Sequence, residues 1–209
     1  MLSSGLIRWG GLAAMLSGML GIVLTPILTY LWTSYSDMYL AYSRAYFLVY
    51  LGCLVGLMGL NAQRKRSSGQ STTEKLSIGI TFAGLALSLV GDILAYWGDV
   101  LGGELVAGGE FTTIQADGFI IEMLGLLLLL VGTVFLGVTY LFGVTYLWAN
   151  VLPRLLAWLL ILAGPGGVLL SALHAPSGTM LLFCSAWVAL GYALWSGRSV
   201  AAEYPSHLS

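Results

Sequence analysis

The sequence predicts an all-α fold, a single-domain polytopic membrane bundle of six transmembrane helices. Three observations carry this. Of the 209 residues 58% are hydrophobic and 8% are charged, whereas a globular domain needs about 25% charged residues to build a wetted surface. The apolar residues gather in six stretches, at 10–31, 45–60, 76–97, 118–142, 155–173 and 179–195, near the roughly 17–25 residues that span a bilayer. The 28 glycines suit helices that approach closely in lipid, where small residues replace the hydrophobic effect as the packing device.

Taken in order, the first stretch exceeds the apolar run of a signal peptide and no A-x-A-like site follows it, which predicts a retained anchor. The second is short, and Ser36-Asp37 is read as a cap that starts its helix near Met38. The polar segment 63–74 is read as a solvated inner loop. The segment 98–117, with Gly102-Gly103 and Gly108-Gly109, is read as a longer outer loop, either a connector or a lid. The fifth helix contains Gly164-Pro165-Gly166-Gly167 and is expected to kink there. The domain is taken as residues 1–198, followed by a short cytoplasmic tail at 199–209.

Orientation follows from the basic residues. With the N-terminus inside, Arg8, Arg64, Lys65, Arg66, Lys75, Arg154 and Arg198 all fall on the inner side, and Arg44 alone on the outer. The acids Asp37, Asp99, Glu104, Glu110 and Asp117 lie on the outer segments. Both termini are therefore expected in the cytoplasm.

Several function classes are excluded. A net charge of −1 leaves no basic surface for nucleic acid. Both lysines, Lys65 and Lys75, lie in or beside the inner loop, so no intramembrane lysine can carry retinal. His174 and His207 fall on opposite sides, which removes bis-histidine haem within one chain. There is no P-loop and no H-E-x-x-H zinc pair. Cys53 and Cys184 lie inside apolar stretches and read as buried thiols. No cofactor and no metal is expected.

The positive signal is a polar constellation on the outer half. Asp92 and Glu122 are carboxylates within spans, where a charge costs at least ~2.5–3.5 kcal/mol and usually faces the bundle interior. Asp92 precedes Trp97 by five positions and Glu122 follows Asp117 by five, so both are expected roughly 7 Å below the outer interface. Ser88, Asp92, Tyr96 and Asp99 form a polar stripe on the third helix. Gly118, Glu122, Gly125 and Gly132 form a small-residue stripe on the fourth. Two carboxyls brought together favour holding a proton between them, unless Arg44 pairs with one. Tyr35, Tyr39, Tyr42, Tyr46 and Tyr50 follow helical spacing over ~22 Å, deeper than an interfacial belt. Asp92, Glu122, Arg44, Tyr39, Tyr42, Tyr46 and Tyr96 are thus the candidate ligand-binding residues, and no catalytic residue is assigned.

Three functions fit. The first is binding or moving a small amphipathic or lipid-like molecule through an outward-facing cavity. The second is an intramembrane isoprenoid or lipid enzyme with Asp92 or Glu122 as general acid. The third is a structural partner subunit that assembles through Gly52-x-x-x-Gly56 or a similar face. Beyond the bilayer, the partners in view are a small amphipathic ligand, a second copy of the chain or a membrane partner subunit.

The string Arg8-Trp9-Gly10-Gly11-Leu12-Ala13-Ala14, the segment Gly91-Asp92…Tyr96-Trp97, Val151-Leu152-Pro153-Arg154 and Gly191-Tyr192-Ala193-Leu194-Trp195 together resemble small multi-span bacterial membrane proteins of the actinobacterial type, a group without an established activity. The resemblance implies a bacterial inner-membrane location and carries over no functional residue.

Overall fold

The computed structural model describes residues 2–34, 42–67, 72–102, 113–144, 151–163, 165 and 177–196. Among them the chain is all helical, with six helices: α1 (Leu2–Ser34), α2 (Phe47–Ser67), α3 (Thr72–Gly102), α4 (Thr113–Val144), α5 (Val151–Ala163) and α6 (Ser177–Trp195). Four of them contain segments long and apolar enough to cross a membrane: Ser4–Leu31, Phe47–Lys65, Thr72–Gly98 and Thr113–Leu141. The described part of α6 adds a shorter apolar run, Met180–Trp195.

The first four helices run past the apolar stretches of the sequence at one end or both. At 33 residues α1 is about 50 Å long, more than the ~30 Å hydrocarbon core. Helix continues into the polar flanks because each flanking residue still adds one backbone hydrogen bond to an existing helix. The segments read as loops shrink accordingly. α3 runs on to Gly102 and α4 begins at Thr113, so Asp99 and Asp117 are helical. The supposed lid centre at 103–112 lies outside the described residues, as do Tyr35, Tyr39 and the tail from 197. Of the Gly164-Pro165-Gly166-Gly167 motif only Pro165 is described, as helical.

Neighbouring helices close a ring in which α1 packs on α2 and α6, α3 on α2 and α4, and α5 on α4 and α6, while α2 also touches α6. Trp187, Leu57, Leu85, Leu136, Leu160 and Leu190 fill its interior. Large apolar side chains such as Val23, Phe82, Leu127, Phe135 and Trp158 point outward, an arrangement favourable in lipid and costly in water.

The most extensive contact is the antiparallel seam between α3 and α4. Along it, small and larger residues alternate across the gap. Thr81 faces Gly132, Gly84 faces Leu129, Ser88 faces Gly125, Gly91 faces Glu122, Ala95 faces Gly118 and Gly98 faces Gln115. The α3 positions recur at steps of three and four, the heptad spacing of a two-helix coil. At every level one partner is glycine, so the backbones come close enough that a Cβ added at Gly91 would run into the backbone of Glu122. A second set of glycines grips α1. Gly52 meets Ser17 and Ala13, Gly56 meets Ala14, Gly59 meets Gly10, and Gly191 meets Met15. The Gly52-x-x-x-Gly56 face, expected to serve assembly with another subunit, is thus spent within the chain, on α1.

Hydroxyls inside the helices mostly return to their own backbone. Ser17, Thr25, Ser77, Thr81, Thr133 and Ser185 each donate to a carbonyl three or four residues back, at 2.6–3.0 Å. Ser88 does not follow this habit.

Candidate functional site

The seam register decides where the two acids of the apolar helices meet. Glu122 lies opposite Gly91, and Asp92 is the next residue on α3. The two acids therefore stand at one level of the α3–α4 pair, as their distances from the helix ends implied. They are electrostatic neighbours. A glycine at 91 is what allows this: any side chain there would push the Glu122 backbone away.

Their surroundings differ. Tyr50 of α2 donates its hydroxyl to Glu122 Oε1 at 3.3 Å. Asp92 is fully buried, and neither of its carboxyl oxygens has a hydrogen-bond partner. One turn away on the same helix, the Ser88 hydroxyl is also fully buried and unpartnered. Buried polar groups are nearly always satisfied, so an unsatisfied carboxyl requires an explanation. Leaving such a group dry costs several kcal/mol when charged.

Tyr50 extends the site toward α1. Its ring meets that of Tyr46 edge-on, with centroids 5.6 Å apart. The Tyr46 hydroxyl lies 3.2 Å from Thr25 Oγ1, and Cys184 of α6 stands beside it. A polar line thus crosses the bundle from Thr25 through Tyr46 and Tyr50 to Glu122 and Asp92. Tyr50 belonged to the tyrosine series of the sequence but not to the proposed site. Its depth singled it out, since it lies farthest from the outer end.

The described members of the tyrosine series, Tyr42, Tyr46 and Tyr50, do not keep to one face. Between Tyr42 and Val49, Ala45 N donates to Tyr42 O, Tyr46 N to Ser43 O, Leu48 N to Ala45 O and Val49 N to Tyr46 O, at 2.9–3.2 Å. These are three-residue steps. In such a turn a spacing of four rotates a side chain by about a third of a turn. Tyr46 and Tyr50 accordingly point inward, at 7% and 1% exposure, while Tyr42 is turned outward at 44%.

Arg44 also departs from expectation. Its Nε donates to the carbonyl oxygen of Tyr96 at 2.8 Å, its guanidinium lies over the Trp97 ring at 5.6 Å, and Trp97 Nε1 donates to the Arg44 carbonyl at 3.3 Å. Arg44 therefore ties α3 to the start of α2 one turn above Asp92. The pairing of Arg44 with Asp92 is not formed, since the Asp92 oxygens have no hydrogen-bond partner. The reason is geometric: the tight turn at 42–46 presents the guanidinium to the end of α3, not to its interior face. Tyr96 itself is buried and packs edge-on against Phe119 of α4 at 5.5 Å. Of the seven candidates, the structure brings Asp92, Glu122, Tyr46 and Tyr96 around Tyr50. It places Arg44 above them and Tyr42 outside, and Tyr39 lies outside the described residues.

A second polar cluster closes the other end. Arg64 Nε pairs with Glu74 Oε1 at 3.0 Å, and the guanidinium lies over the Tyr140 ring at 4.4 Å. This joins the end of α2, the start of α3 and the end of α4. The segment 63–74, read as a solvated loop, is therefore in large part helix ends held by an ion pair. Among the described residues no group of three or more His, Cys, Asp or Glu is placed to hold a metal ion.

No protein-family model, no curated protein and no solved structure matches the chain.

Proposed function

We propose that the chain is a six-span protein of a bacterial cytoplasmic membrane, with both termini inside, that binds or moves a small amphipathic or lipid-like molecule entering from the outer side. The observation that carries this reading is Asp92, fully buried with both carboxyl oxygens unpartnered, beside a Glu122 oriented by Tyr50. A few placed polar groups among apolar and aromatic side chains are the usual makings of a ligand site. The expected break of the fifth helix at Gly164-Pro165-Gly166-Gly167 belongs to the same reading, since interrupted helices recur at transporter sites. The basic-residue asymmetry and the resemblance to small actinobacterial-type membrane proteins support the location.

Mass spectrometry of the protein purified in mild detergent tests the reading. A stoichiometric small molecule or lipid, lost in Asp92→Asn, is expected. A stoichiometric protein partner without any small molecule overturns it. Turnover of the bound molecule would move the assignment to an enzyme with Asp92 or Glu122 as general acid. Orientation is tested by cysteine labelling at Gly108 and Ser68 in intact cells, with Gly108 expected to label and Ser68 to be protected.

A further inference from the structure

Around the acid pair, acceptors outnumber donors. Asp92 offers two unpartnered carboxyl oxygens. The donor facing Glu122 is the Tyr50 hydroxyl, and Ser88 contributes a hydroxyl that has taken no other partner. Ser88 is a second, independent unpartnered group at the site, whereas comparable hydroxyls on the same helix, at Ser77 and Thr81, are satisfied by their own backbone. It is set against Gly125, three residues along α4 from Glu122, and so borders the acids from the inner side.

The groups facing Asp92 are Glu122 from α4 and Tyr50 from α2, and Tyr50 in turn stands beside Tyr46 of the preceding turn and Tyr96 of α3. Cys184 of α6 reaches only as far as Tyr46. Arg44 contacts the backbone of Tyr96 and the Trp97 ring. Two adjacent carboxylates in a low dielectric cannot both keep their charge without a compensating positive one. The immediate wall is aromatic: the Tyr46–Tyr50 and Tyr96–Phe119 pairs pack edge to face. Ring faces attract cations and do so most strongly when water is excluded. Rings have little to offer a hydrated metal ion, but they suit the apolar body of an organic cation.

We infer that the occupant of the Asp92–Glu122 site is an amphipathic organic cation, which exchanges for protons held on the two carboxyls. The inference rests on the reading of the acid pair as a binding site and names the class of molecule it takes. The exchange balances: with both carboxyls protonated the site is neutral. Each monovalent cation that enters releases one proton, leaving one carboxylate against one positive charge. An acid pair serving only to hold helices together has no reason to distinguish the sign of a ligand.

The test uses the full chain in mild detergent and two probes of nearly equal size and opposite charge, tetraphenylphosphonium and tetraphenylborate, with a neutral monoacylglycerol as third. Isothermal titration calorimetry is run in buffers of different ionisation enthalpy, with titrations into empty micelles subtracted. Saturable binding of tetraphenylphosphonium and not of tetraphenylborate is expected, with release of about one proton per cation. Affinity should fall by up to about tenfold for each unit the pH is lowered in the acid range, where protons compete for the carboxyls, as proton linkage requires. Asp92→Asn and Glu122→Gln should each weaken binding at least about tenfold and alter the proton count. Ser88→Ala, which leaves both acids in place, should weaken it less and leave the count at one. Equal binding of the two ions, cation binding without proton release, or full affinity in a folded Asp92→Asn protein would overturn the inference. If tetraphenylborate or the monoacylglycerol binds in an Asp92-dependent way and the cation does not, the cation assignment falls and the binding site stands. If none of the three binds, both fall.

Discussion

Glu74 and Asp92 occupy one face of α3, about five turns and ~27 Å apart, and their surroundings differ in kind. Glu74 accepts Arg64 at 3.0 Å, under a guanidinium that also lies on Tyr140. Asp92 is more deeply buried and its oxygens have no partner. The first acid is part of a clasp joining α2, α3 and α4. The second detracts from stability as it stands, and nothing in the packing requires a carboxyl there. A membrane bundle tolerates such a residue where it faces the interior and meets something from outside. Pairing therefore separates the acid that holds the architecture from the acid that no neighbour satisfies.

The comparison breaks most severely if the helices that bring Asp92 against Glu122 are parted. Gly91→Val and Gly125→Leu place side chains against the partner backbone, and each is expected to cost about 3 kcal/mol or more. Gly79→Ala is the control, since a Cβ there meets nothing within 4 Å and the change should be neutral or stabilising by less than about 1 kcal/mol. Unfolding in mixed micelles, followed by circular dichroism, measures all three.

The next effect is a contrast of sign. Glu74→Gln removes one member of a partly buried pair and should lower stability by about 1–3 kcal/mol, between the values for exposed and buried ion pairs. Asp92→Asn removes an unpaired buried acid and should leave stability unchanged or raised. If both lower stability equally, the two acids are structural alike and the distinction fails.

Smaller effects sharpen it. Tyr50→Phe deletes the 3.3 Å bond to Glu122 and should cost about 0.5–1.5 kcal/mol. That cost should vanish in a Glu122→Leu background, which removes the acceptor, if the bond is its source, a double-mutant cycle being the direct check. Arg64→Lys keeps the charge of the clasp but gives up the planar group stacked on Tyr140. A loss of about 0.5–1 kcal/mol is expected, read by the same unfolding measurement.

Much of the site could be read from the residues alone. Asp92 and Glu122 stood out as charges inside apolar runs, and their equal distance from the helix ends put them at one depth. The small-residue stripe Gly118, Gly125 and Gly132 marked the face of α4 that carries Glu122. The complementary set on α3, Gly84, Gly91 and Gly98, was hidden. Its members alternate with Thr81, Ser88 and Ala95, so no run of identical residues announces the face. Tyr42 was grouped with Tyr46 and Tyr50 because spacing assumes a regular helix, and the three-residue turn at 42–46 breaks that assumption.

Composition and periodicity by themselves determined the all-helical class with helices apolar enough to cross a membrane, the presence of two acids within apolar helices and their level, because these depend only on how far each residue lies along an apolar helix. The tertiary structure alone decided which acid is satisfied. Helical spacing reports a face but not what lies across from it. That Tyr50 reaches Glu122, that Arg44 turns to the Tyr96 carbonyl and the Trp97 ring, and that Arg64 closes on Glu74 and Tyr140 all follow from the rotation and register in which six helices pack. Those are set by glycines on neighbouring helices, remote in sequence from the side chains they bring together.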